Sequence, residues 1–235
     1  MADALPRIVF LPGFMQHADT WDEVAAAVGQ RYPSAVVDFA TWTFEGRVGE
    51  IFAAAGPGDV VVGYSMGGRL ALHAALRSGV FRGLVLVGAS PGIEGDEERE
   101  ARRVADESLA AWIETHSIEE VVARWERNPV FATQPEALVE AQRAGRRRHS
   151  PADLATLLRS AGQGALPAVW DRLPSLPVPL LAVAGSLDSA YAAAAVRMAS
   201  LAPNAQTAII EGAGHVVHLE RPADVSEAIV EFTDL

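Results

Sequence analysis

The sequence predicts an α/β protein: a mostly parallel sheet of about six strands, helices on both faces, and a helical cap inserted after the fourth strand. Three observations carry this expectation. Short β-branched runs alternate with helix-like segments at both ends of the chain, which is the pattern of βαβ units with strands buried on both faces. Residues 92–174 carry many charges and helical spacing but no strand-like run. Between them, the apolar run Val60-Val61-Val62-Gly63 passes through Tyr64-Ser65-Met66-Gly67 directly into an alanine-rich helical segment.

In chain order, Arg7 to Leu11 reads as a buried strand stopped by Pro12-Gly13-Phe14-Met15. Asp19 or Thr20 is placed to cap a helix from Trp21 to Val28. Ser34 to Phe39 is the second strand and Arg47 to Ala54 the second helix; Asp59 to Gly63 and Phe81 to Val87 are the third and fourth strands. Helical spacing then covers Glu97 to Glu107, Leu109 to Glu114, Ile118 to Trp125, Glu136 to Arg143 and Pro151 to Ser160. After the proline-rich stretch Leu173 to Pro179, Leu180 to Ala184 and Ala205 to Ile210 read as strands. Ala190 to Ala199 and Ala223 to Phe232 read as helices. The expected division is therefore a core of residues 1–91 and 175–235 with a cap of residues 92–174.

Composition narrows the chemistry. The chain has no cysteine, which excludes disulfides, thiolate catalysis and thiolate metal sites. A net charge of -11 argues against nucleic acid and anionic membranes as partners. All 19 basic residues are arginine, so lysine Schiff-base and P-loop chemistry are excluded, while forked recognition of carboxylates or phosphates remains. No apolar run reaches the length of a membrane span, and Met1 to Arg7 lacks the charged-then-apolar pattern of a leader. A soluble, cytoplasmic protein is the expectation.

Gly63-Tyr64-Ser65-Met66-Gly67, between a strand and a helix, has the form of a nucleophile elbow. The glycines suit a turn in which flanking side chains would collide, and the residue after the serine aims its N–H where an oxyanion forms. Gly88-Ala89-Ser90-Pro91-Gly92 matches the same pattern after another apolar run. Pro91 has no N–H to donate and a polar loop follows it, so Ser65 is the candidate and Ser90 a strand-end turn residue. The oxyanion donors are expected to be the N–H groups of Met66 and, from the loop after the first strand, Phe14.

A serine needs a base, and the base needs an orienting carboxylate. Asp188 follows the fifth strand through Gly185-Ser186-Leu187, and His215 follows the sixth through Glu211-Gly212-Ala213-Gly214. Taken singly, Asp188 reads as a helix cap and His215 as a loop histidine; together, in the order Ser, Asp, His at strand ends, they read as a triad. His17 and His218 are near enough in sequence to approach the site, whereas His73, His116 and His149 fall in helices or the charged insertion. No histidine pair has metal-ligand spacing, so no metal is expected.

These residues resemble the α/β-hydrolase superfamily, and more narrowly the 2-succinyl-6-hydroxy-2,4-cyclohexadiene-1-carboxylate (SHCHC) synthases of menaquinone biosynthesis. The resemblance is carried by Gly63-Tyr64-Ser65-Met66-Gly67-Gly68-Arg69, Ala89-Ser90-Pro91-Gly92-Ile93, and Glu97-Glu98-Arg99 to Arg102-Arg103. It continues in Trp125-Glu126-Arg127-Asn128-Pro129-Val130-Phe131-Ala132, Gly162-Gln163-Gly164 and Ala213-Gly214-His215-Val216-Val217-His218-Leu219-Glu220, about two thirds of the chain in all.

The resemblance implies a lyase without metal or organic cofactor, removing pyruvate from an enolpyruvyl-bearing cyclohexene with several carboxylates. Ser65, His215 and Asp188 would act as a general base on carbon, Arg69, Arg102 and Arg146 would bind carboxylates, and Trp125 would line the pocket. Arg69, four residues after Ser65 on one helix face, and the cluster Arg143, Arg146, Arg147 and Arg148 suit a polyanionic small molecule on their own account. The alternative is an ester, thioester or C–C bond hydrolase with Ser65 as covalent nucleophile. Two departures stand out: Pro12-Gly13 replaces His-Gly, and Asp38-Phe39-Ala40-Thr41-Trp42 replaces the usual Asp-x-Pro-Gly-His-Gly.

Overall fold

A computed structural model describes residues 5–235. Residues 1–4, part of the segment read as lacking a leader, lie outside the described residues. Six strands, β1 (Ile8–Leu11), β2 (Ser34–Val36), β3 (Val60–Tyr64), β4 (Gly83–Val87), β5 (Leu180–Gly185) and β6 (Ala205–Ile210), form one parallel sheet in the order β2-β1-β3-β4-β5-β6. The helices are α1 (Asp22–Val28), α2 (Phe44–Ala54), α3 (Met66–Ser78), α4 (Asp96–Glu114), α5 (Ile118–Trp125), α6 (Glu136–Arg146), α7 (Pro151–Ala161), α8 (Ser189–Leu201), α9 (Val217–Glu220) and α10 (Pro222–Thr233).

Side chains alternate across a strand, so each central strand feeds two cores. Ile8, Phe10, Val60, Val62, Val85 and Val87 pack with Trp21, Val24, Val28, Val225 and Ile229 on one face. Val9, Leu11, Val61, Leu84 and Leu86 pack with Ile51, Leu70, Leu72, Ala195 and Met198 on the other. That double burial is why the strands read as continuous apolar runs rather than as an alternating pattern. No strand lies between β4 and β5, where α4 to α7 occupy the chain. No helix of the described residues is long and apolar enough to cross a membrane.

Four local expectations are corrected. Strand β2 stops at Val36, not Phe39, because the Glu50 carboxylate of α2 accepts the Ala40 and Thr41 N–H groups, each at 2.8 Å, and draws the chain off the sheet. Neither Asp19 nor Thr20 caps α1: Ala18–Trp21 is a 3-10 turn, the Thr20 hydroxyl donates to the His17 carbonyl, and Asp19 pairs with Arg148. The two helices expected around Ser108 are one helix, α4, in which the Ser108 hydroxyl donates to the Val104 carbonyl one turn back at 2.9 Å. The short α9 after His215 was not foreseen; four residues are too few to show a helical period.

Candidate active site

The elbow forms where β3 meets α3. Ser65 sits at φ 48° and ψ -109°, a strained conformation for a residue with a Cβ. The turn is tight enough that a Cβ at Gly63 would lie 2.6 Å from the Gly67 backbone, and one at Gly67 would lie 2.5 Å from the Pro12 carbonyl oxygen. Both positions therefore have to be glycine. Ser65 is held by its N–H donating to the Val87 carbonyl at 2.9 Å, and Met66 follows as the first residue of α3.

Loops after β5 and β6 bring the partners. His215 Nδ1 lies 2.7 Å from Asp188 Oδ2, and His215 Nε2 lies 3.3 Å from Ser65 Oγ. A carboxylate only accepts, so Nδ1 carries the ring proton and Nε2 is left to accept from the Ser65 hydroxyl. Asp188 does occupy the N-cap position of α8, but its side chain makes no capping bond there. It turns to His215 instead. This hydroxyl, imidazole and carboxylate can make Ser65 Oγ either a base or a nucleophile.

Above Ser65 opens a cavity of about 360 Å³. Phe14, Ser65, Met66, Arg69, Arg102, Trp125, Arg146 and His215 all line it, so the structure brings these expected site residues together. Asp188 stands behind His215. Phe14 and Trp125 meet edge to face at 5.1 Å, and Trp125 meets Phe131 at 5.4 Å, giving an aromatic wall. Phe14 belongs to a turn in which Met15 has φ 57° and the Gly13 N–H donates to Gln16 Oε1 at 3.1 Å. A side chain three residues on thus shapes the loop after Pro12.

The three arginines differ in what already holds them. Arg69 is 5% exposed; one guanidinium NH2 donates to the Ala161 carbonyl at 3.2 Å, and its Nε is buried without a partner. Burial lowers its pKa, and the neighbouring charge of Arg102 adds to that. Arg146 is 3% exposed and donates to Glu126 at 3.2 Å and Gln142 at 2.8 Å. Glu126 also accepts from Arg143, which faces away toward Glu140. Arg148 pairs with Asp19. Of the cluster of four, Arg146 alone lines the cavity. Arg102 sits half exposed at the mouth, paired with Asp106 at 2.7 Å.

Tyr64, Asn128, Phe131, Gln142, Gln163 and Tyr191 also line the cavity without having been singled out as site residues. Tyr64 was legible as the neighbour of Ser65; the others reach the cavity through long-range packing. His218 does not line it. It is buried between Trp21 and Tyr64, each ring 4.4 Å away. His17 stacks on His149 at 4.0 Å, with His17 Nδ1 3.5 Å from Asp38. Ser90 stays in the turn after β4, and the Pro91 carbonyl there accepts the Val169 N–H at 2.9 Å.

A parallel sheet with a strained serine at the β3–α3 elbow, and an aspartate and a histidine delivered by later strand-end loops, defines an α/β hydrolase. The alpha/beta hydrolase family model matches residues 8–228, and the chain belongs to that family. Within it, the 2-succinyl-6-hydroxy-2,4-cyclohexadiene-1-carboxylate synthase of Klebsiella pneumoniae (strain 342) is 32% identical, over 97% of this chain and 93% of that protein. A relative from Bacillus subtilis, named as a candidate synthase of the same kind, is 34% identical over 73% of this chain, a match spanning 64% of its own length. Among solved structures, MenH from S. aureus superposes with a TM-score of 0.91 at 28% identity, covering 99% of this chain and 95% of that one.

Proposed function

We propose that the protein is a carbon–oxygen lyase that eliminates pyruvate from 2-succinyl-5-enolpyruvyl-6-hydroxy-3-cyclohexene-1-carboxylate, giving SHCHC for menaquinone biosynthesis. The relatives named as SHCHC synthases support the reading, and one feature of the site carries it. Arg69 is a buried guanidinium, one helical turn from Ser65, facing the cavity without a carboxylate of its own. Leaving a charge so placed is costly unless a ligand supplies the counter-charge. A neutral ester supplies none, whereas a tricarboxylate does.

In the reaction, His215 accepts the Ser65 hydroxyl proton, and Ser65 Oγ takes the proton from the ring carbon next to the succinyl ketone. Asp188 orients the imidazole and stabilises its protonated form. Negative charge develops on the ketone oxygen, where the N–H groups of Met66 and Phe14 are the proposed donors. The electron pair then moves through the ring, the C–O bond to the enolpyruvyl group breaks, and pyruvate leaves as its enolate, which takes up the proton held by His215. Arg69, Arg102 and Arg146 bind the carboxylates, Trp125 forms the wall, and residues 92–174 act as the cap that supplies most of these contacts. No metal or organic cofactor takes part.

Purified protein given the enolpyruvyl substrate is expected to release pyruvate, followed through reduction to lactate with NADH consumption. Release no faster than the uncatalysed background would remove the lyase reading. The hydrolase reading keeps the same serine, histidine and aspartate but makes Ser65 a covalent nucleophile. It predicts a burst with p-nitrophenyl esters and an acyl group trapped on Ser65, neither of which the lyase should show strongly.

A further inference from the structure

Gln163 bridges two cavity-lining side chains from different helices. Its Oε1 accepts from the Arg102 guanidinium at 3.0 Å, and its Nε2 donates to the Tyr191 hydroxyl at 2.8 Å. The direction of this relay follows from the groups themselves. A guanidinium has donors only, so the amide must present its oxygen to Arg102 and its NH2 to Tyr191. The Tyr191 oxygen is thereby an acceptor in that bond. Its own O–H makes no hydrogen bond to protein among the described residues, and the residue lines the cavity. The ring packs 4.5 Å from the His215 ring, which fixes it beside the reacting centre.

We propose that Tyr191 is a specificity-determining residue: its hydroxyl, turned into the cavity by the Arg102–Gln163 relay, donates a hydrogen bond to a substrate carboxylate shared with Arg69. Arg69 and Tyr191 line the same cavity, and the Arg69 Nε has no protein partner. A guanidinium and a phenol then face one anion from two sides. The assignment rests on the polyanionic ligand class proposed above, though not on the lyase step itself. It also gives Arg102 a second role, since this cation sets which way the amide, and so the phenol proton, points.

The test uses two substitutions and their combination. Tyr191→Phe removes the donor. Gln163→Glu keeps both links, but the introduced carboxylate accepts from the Tyr191 O–H and withdraws its proton from the cavity. Affinity for succinate, measured by titration calorimetry, is the readout, alongside KM for pyruvate release. Tyr191→Phe is expected to weaken both by roughly 10-fold or more, the size of one hydrogen bond to a charged acceptor. Gln163→Glu also places a negative charge near the anion, so its own loss is not decisive. The decisive measurement is Tyr191→Phe added to Gln163→Glu, which should cost nothing further. A full Tyr191→Phe effect in that background, or none in the wild type, overturns the proposal. If succinate affinity responds as expected while the enzyme releases no pyruvate, the lyase reading falls and the Tyr191 assignment stands.

Discussion

The Arg69 N–H donates to the Ser65 carbonyl at 3.0 Å, closing the first turn of α3 and putting a guanidinium on the same helix face as the candidate catalytic hydroxyl. Their separation is therefore set by helix geometry rather than by a flexible loop. Removing Arg69 should have opposite effects on stability and on activity. Arg69→Met deletes a buried charge without a carboxylate partner and is expected to raise the melting temperature. It should cost about 1.5–3 kcal/mol of substrate binding, seen mainly in KM. A fall in both together, with kcat lost as well, would assign Arg69 to the fold rather than to the ligand.

The hydrogen bond between His215 and Asp188 predicts that Asp188→Asn lowers kcat by about four orders of magnitude, because the amide can donate to Nδ1 and favour the wrong tautomer. The Asp188 side chain caps nothing, so the melting temperature should hardly change. Pyruvate release and thermal unfolding measured on one preparation check both halves.

The strain at Ser65 gives a third expectation. Ser65→Gly relieves a positive φ and should stabilise the fold by about 1 kcal/mol while abolishing turnover. Gly67→Ala should do the reverse, since its Cβ would meet the Pro12 carbonyl oxygen at 2.5 Å. A loss of about 3 kcal/mol or more in urea unfolding is expected for the alanine variant. Tolerance of alanine at Gly67 would contradict the elbow as described.

Stability should depend on pH through three buried histidines. Burial pushes His73 down to about 4, and His149 and His218 down to about 3. In the unfolded chain these rings titrate near 6.5, so as the pH falls it is the unfolded state that takes up protons first. Their contribution is present above pH 6.5 and is lost below it, at about 1.4 kcal/mol per pH unit for each ring. The melting temperature is expected to be level near pH 7 and to fall steeply between 6.5 and 4.5. His218→Phe should remove about a third of that slope, because its ring is enclosed by Trp21 and Tyr64 and gains no solvent on protonation. An unchanged slope in the variant would show that other groups carry it.

The strands and the strand-end residues were legible because physics writes them locally. A strand buried on both faces must be an apolar run; Ser65 follows one directly, and Asp188 and His215 follow strands through short loops. Which arginine of the cluster faces the cavity was not local. It depends on Glu126 at the end of α5 holding both Arg143 and Arg146 of α6, a contact no periodicity reveals. The contact of Gln163 with Tyr191 was hidden for the same reason, since it requires α8 to pack beside the turn after α7. The end of β2 was misjudged because a carboxylate of the next helix, Glu50, holds the Ala40 and Thr41 N–H groups just past the expected strand and draws the chain off the sheet.

The pairing of β4 with β5 joins Leu84 to Leu180 across the whole of the intervening helical stretch. Local helices form in microseconds, but closing so large a loop delays the contact, and the entropy of closure is spent before the pairing returns anything. Ser65 lies on the near side of this seam, and Asp188 and His215 on the far side. The pairing with the longest loop to close is therefore the one that completes the relay, so recovery of turnover during refolding should report the arrival of the native topology itself, later than any signal from helix content.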